Sequence, residues 1–223
     1  MPSEPTPVVI GINWYERFDN YFQDDKGHYW ISRSGMDLGR IRGGHCICVA
    51  SPHIIDRWWP FYDQGSEGAC VGFGWSRYAS LMNRVRYDGF KLYHEAQKID
   101  EWAGENYSGT SVRAGGDVLR TLGAWKVLRG KTQDYPDAEA GIVQYRWATT
   151  IEQVAQCLSP HDDGHRILSD GFLVLLNSWG PRYPAKVRMD LDTAYRVLFK
   201  EEGDVSMATD RPALPNTARG FLV

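Results

Sequence analysis

Three short, unbroken apolar runs constrain this chain more than any other feature: residues 8–13 (VVIGIN), 45–50 (HCICVA) and 172–176 (FLVLL). Each is too short for a buried helix and is rich in β-branched or aliphatic side chains, which reads as a buried strand. The last is preceded by the turn sequence Ser169-Asp170-Gly171. Between the runs the period changes. Over 70–86, Val71, Trp75, Tyr78, Leu81, Met82 and Val85 fall near one helical stripe, while Arg77 and Arg84 fall elsewhere. Further helices are expected over 91–102, over 111–122 with Thr110 or Ser111 as cap and Gly123 as stop, over 150–158 ending at Pro160, and over 192–202. A strand is expected over 143–146, and 15–42 reads as a long irregular excursion. Helices interleaved with strands give an α+β fold.

At 223 residues the chain suffices for one large domain or two small lobes sharing a cleft. Its net charge of -3 is spread without long runs of either sign, which argues against nucleic acid or an anionic membrane as partner. No apolar run approaches the length of a bilayer span, and residues 1–7 lack the basic and apolar regions of a signal peptide. The expectation is a soluble, cytoplasmic protein. Its four cysteines do not form a disulfide framework, because Cys46 and Cys48 share one face of a strand and Cys157 stands alone. Zinc binding by His45, Cys46 and Cys48 is disfavoured, since the C-x-C spacing has no second ligand pair nearby. No cofactor is expected.

The stretch Asp63-Gln64-Gly65-Ser66-Glu67-Gly68-Ala69-Cys70 sets a cysteine at the start of a helix, with a glutamine upstream. A thiolate there is stabilised by free N–H groups and the positive end of the helix dipole, and the thiolate is the nucleophilic form. Taken alone, the residue reads at least as well as a small buried hydrophobe. Two other elements change that balance: Gly43-Gly44-His45 leading into the 45–50 strand, and Asn177-Ser178-Trp179-Gly180 directly after FLVLL.

Together the three resemble the active-site elements of the papain family of cysteine peptidases, namely Gln-Gly-x-x-Gly-x-Cys, Gly-His with its strand, and Asn-Ser-Trp-Gly. The resemblance implies a two-lobed fold with a helical lobe, an antiparallel sheet or barrel lobe, and a cleft between them. It would divide a single catalytic domain, 1–223, into a β segment with His45 (1–50), a mainly helical part with Cys70 (51–160), and a β segment with Asn177 and a loose tail (161–223). It implies hydrolysis of a peptide or protein substrate through an acyl-enzyme on Cys70. His45 would serve as general base and acid, and the pair can rest as thiolate and imidazolium. Asn177 would orient the imidazole, and Trp179 would shield that hydrogen bond. Gln64 and the Cys70 N–H would bind the oxyanion. Gly109, in Tyr107-Ser108-Gly109-Thr110-Ser111, would support the substrate backbone, although it also reads as a simple helix-start glycine.

The family runs Gln, Cys, His, Asn along the chain, whereas here the Gly-His strand comes first. The implied arrangement is a block of about 7–50 moved to the front, with connectivity changed and packing retained. His165 lies between Cys70 and Asn177 as the family order requires. Only a stub separates it from the turn at 169–171, however, so His45 is the preferred base. His28, His53, His94 and His161 read as surface or loop residues. Val71 stands where better-known members carry tryptophan, and neither the excursion over 14–42 nor the tail after Glu202 has a place on the family pattern. The same residues would serve acyl transfer to an amine, and a papain-like scaffold can also be kept for binding alone.

Overall fold

A computed structural model describes residues 4–56, 58–105 and 107–210. In chain order the elements are β1 (Val8–Tyr15), β2 (Phe22–Gln23), β3 (Tyr29–Trp30), β4 (Ile41–Val49), α1 (Pro52–Ile55), α2 (Cys70–Asn83), α3 (Gly89–Ala96) and α4 (Val112–Thr121). They continue with β5 (Val127–Leu128), β6 (Lys131–Thr132), β7 (Gln144–Trp147), α5 (Ile151–Leu158), α6 (His165–Asp170), β8 (Phe172–Leu176), β9 (Lys186–Asp190), α7 (Leu191–Tyr195) and β10 (Asp204–Asp210). The α+β expectation holds. None of the helices among the described residues is long and apolar enough to cross a membrane.

Eight strands form one sheet in the order β2-β3-β9-β8-β4-β1-β10-β7, antiparallel except where β3 meets β9. The sheet is open, with β2 and β7 as its edges, so it does not close into a barrel. β1 lies deep inside it because its β-branched residues pack on both faces. Val8, Ile10, Ile12 and Trp14 enter one core with α5, α7 and the inner side chains of β8 and β9. Val9 enters the other, with α2, α3, α4, Cys46 and Cys48. Alternation along each strand thus divides the apolar residues between two helical layers.

Three segments differ from expectation. The excursion after β1 is not a detached loop: Phe18, Ile31 and Leu38 are buried in the first core, and β2 and β3 extend the sheet. Ser169 and Asp170 close α6, whose C-cap is Gly171 in the left-handed region, so the presumed turn is a helix end. The segment after Glu202 forms β10, which pairs with β1 and β7. Apolar alternation in β10 is diluted by Asp204, Ser206 and Thr209, which hides a strand buried by its neighbours. The expected loose tail lies outside the described residues.

Candidate active site

Strand pairing builds one half of the site. β4 runs antiparallel to β8 with Cys48 opposite Leu176 and Val49 opposite Leu175. Asn177, the first residue beyond β8, therefore emerges beside the His45 end of β4. The Asn177 carboxamide oxygen accepts the Ser178 backbone N–H at 2.7 Å and faces His45 Nε2 at 3.3 Å. An acceptor at Nε2 fixes the proton on that nitrogen and leaves Nδ1 as the ring's basic atom.

An aromatic enclosure surrounds this pair. The Trp179 ring lies 4.6 Å from the imidazole at a tilt of 35°, and Trp14 meets the imidazole edge-on at 5.0 Å. Trp14 also packs edge-on against Trp179 at 4.7 Å. Sequence reading assigned a role to Trp179 but not to Trp14. The strand period carries the missing signal, since Trp14 continues the parity of Ile10 and Ile12. His45 is buried as a result, and burial holds its imidazole down to about 4, against a modest opposing effect of the Asn177 hydrogen bond.

Helix packing builds the other half. Cys70 is the first residue of α2, and Gly74, one turn later, lies against β4. A Cβ on Gly74 would stand 3.0 Å from Cys46 Sγ, so glycine lets the helix approach the strand carrying His45. Burial pushes the Cys70 thiol up, opposed by the backbone N–H groups of Cys46, Val71 and Cys70 itself. Among the described residues no hydrogen bond joins the thiol to the imidazole, and contacts of this kind often tighten only when substrate binds. The two shifts run in opposite directions, and each favours the neutral form of its group. The burial of the site favours neutral thiol and neutral imidazole at rest, rather than the thiolate–imidazolium pair expected from the resemblance.

His45 and Cys70 line one cleft of about 400 Å³ together with Cys46, Gly68, Ser108 and Gly109. Gly109 has φ +133, its N–H donates to the Tyr93 hydroxyl at 3.2 Å, and its carbonyl accepts from Gln97 Nε2 at 3.3 Å. Gly68 is equally constrained, because a Cβ there would stand 2.7 Å from Ser108 Oγ. Glu201, Glu202 and Asp204 line the cleft as well.

Gln64 is buried, and its backbone N–H donates to the Ser178 carbonyl at 2.7 Å, which ties its loop to the Asn177 segment. Its side-chain amide donates to the Glu67 carbonyl at 3.1 Å, while Oε1 is buried with no hydrogen-bond partner among the described residues. The amide nitrogen is thus engaged within its own loop. His165 opens α6 and is exposed, away from the lining of the cleft. Cys46 and Cys48 share a face, as expected, but pack toward α2, whereas His45 turns to Trp14 and Trp179. These three side chains do not converge.

Arg77, which falls off the apolar stripe of the helix, is nevertheless fully buried. Its position was legible in part, for it stands seven residues after Cys70, and that spacing returns to the same helix face. No family model, curated protein or solved structure matches this chain.

Proposed function

We propose that the chain is a cysteine hydrolase of the papain type, cleaving peptide bonds through an acyl-enzyme on Cys70. The observation that carries this reading is the hydrogen bond between His45 and Asn177 beneath Trp179, in the wall of the cleft that also exposes the first residue of α2. Three sequence elements remote from one another in the chain supply those groups. In this reading α2 to α4 form one wall and the sheet the other, a two-lobed arrangement with altered connectivity.

Catalysis starts from the neutral pair. A peptide entering the cleft displaces water, and Nδ1 of His45 takes the Cys70 proton as sulfur attacks the carbonyl carbon. The backbone N–H groups around the sulfur are candidates to hold the developing oxyanion, with Gln64 joining them once its side chain leaves Glu67. The imidazolium then returns its proton to the leaving amine, and water activated by His45 releases the acyl group.

The test is incubation of the chain with a mixture of unfolded polypeptides and identification of the fragments by mass spectrometry. Cleavage that disappears in Cys70→Ala and in His45→Ala supports the reading. Cleavage that persists in Cys70→Ala, or its absence from the wild-type chain, overturns it.

A further inference from the structure

Arg77 has a side chain with 0% exposure, and among the described residues no carboxylate pairs with its guanidinium. The ionisable groups around it are Cys48, Tyr62 and Arg86. Its donors are spread over two segments. One terminal nitrogen donates to the Pro60 carbonyl at 2.6 Å. The other donates to the Asn177 carbonyl at 3.0 Å and to Ser178 Oγ at 3.0 Å. The Tyr62 ring lies under the guanidinium at 4.7 Å, and Nε is buried with no hydrogen-bond partner among the described residues.

This is a poor arrangement for stability alone. A buried cation without a counter-charge loses much of its hydration free energy, and apolar replacements of such groups are often neutral or stabilising. The fork has a geometric use, however. Pro60 leads into the loop carrying Gln64, Asn177 carries the carboxamide that meets His45, and Arg77 itself belongs to the helix that begins at Cys70. Gln64 N–H to the Ser178 carbonyl closes the same junction from the other side. Arg77 thus donates to both of these segments, and a lysine, with its single nitrogen, would not span them in the same way.

We infer that Arg77 is a positioning residue: from α2 it locks the backbone of Asn177 and Ser178, and through Asn177 it fixes the His45 ring against the cysteine helix. The inference rests on the hydrolase reading only for its kinetic consequence. The geometric claim, that the Arg77 fork sets the His45 environment through Asn177, stands apart from turnover.

The experiment compares Arg77→Met, Asn177→Ala and the double variant in the full chain, using peptide turnover and the His45 ring resonances of 15N-histidine-labelled protein. The His45 signals are assigned by their loss in His45→Ala. The expected result is a fall in kcat of about 100-fold for Arg77→Met with KM little changed, the scale of an ångström of misplacement. The double variant should be no slower than Asn177→Ala alone, and the His45 Nε2 resonance should move in Arg77→Met toward its position in Asn177→Ala. Independent losses that multiply in the double variant, or an unmoved His45 resonance, overturn the inference. Arg77→Lys keeps the charge without the fork and carries the same comparison if Arg77→Met does not fold. If the wild-type chain shows no turnover, the hydrolase reading fails, and the His45 resonance by itself decides the role of Arg77.

Discussion

The carboxamide oxygen of Asn177 stands 3.3 Å from Nε2 of His45, although 132 residues separate the two in the chain. Adjacent antiparallel strands bring them together, and the same oxygen is pinned by the Ser178 N–H. Ring orientation at His45 is thus set by backbone register, with the side-chain contact as its last step.

Removing that contact should act on the chemical step. Asn177→Ala is expected to lower kcat by about 100-fold, the scale of a misoriented catalytic group, while KM changes little. Steady-state kinetics on a cleavable peptide check this. A loss confined to KM would assign the carboxamide to substrate binding.

The two candidate bases separate cleanly by location. His45→Ala is expected to abolish turnover, whereas His165→Ala, on an exposed helix, should leave kcat/KM near the wild-type value. The reverse result would move the base to His165 and break the link with Asn177.

Burial of His45 predicts an acid limb in stability. The unfolded chain takes up the imidazole proton near the usual 6.5, and the native chain only near 4. Stability from this group is therefore complete above pH 6.5 and is lost as pH falls toward 4, by on the order of 3 kcal/mol. Urea unfolding at pH 7 and pH 4.5 should show a smaller difference in His45→Phe than in the wild type. Equal differences would show that the imidazole is not held neutral.

The raised Cys70 thiol predicts how the chain reacts with iodoacetamide. Carboxymethylation of Cys70 should climb with pH through the alkaline range, as for a neutral thiol losing its proton. A plateau extending from pH 5 to pH 8 would instead reveal a resting thiolate–imidazolium pair. Mass mapping of the labelled cysteine, with Cys70→Ser as control, distinguishes the two.

Close approach of α2 to β4 depends on the missing side chain at Gly74. Gly74→Val puts carbon into space 3.0 Å from Cys46 Sγ and should cost about 1–3 kcal/mol through overpacking. Because Cys70 sits one turn away, kcat should fall as well. Thermal unfolding and kinetics measured together check the coupling, and an active variant of unchanged Tm would show that the helix tolerates displacement.

Much of the local structure was legible in the residues. The β-branched runs at β1, β4 and β8 declared themselves because buried strands tolerate little else. The sequence offers Thr110 or Ser111 as one cap and Thr149 or Thr150 as another, and it is Ser111 and Thr150 that each accept a backbone N–H of their own first turn. β9 and β10 were not legible, since charged and polar side chains interrupt their alternation and neighbouring strands bury them. The burial of Arg77 was not legible either, since it lies off the apolar stripe, and the carbonyls that converge on its guanidinium come from segments remote in the chain.

The sequence by itself determined which chemistry the chain can offer: a cysteine opening a helix, a histidine beside an apolar strand, and a carboxamide ahead of a tryptophan. These are properties of residue type and immediate neighbours, which local spacing encodes. Tertiary structure alone decided that the His45 imidazole comes within 3.3 Å of the Asn177 carboxamide and that burial opposes charge on both His45 and Cys70. Those outcomes depend on strand register and burial, which arise from contacts between segments far apart in the chain and leave no mark in the spacing of any one of them.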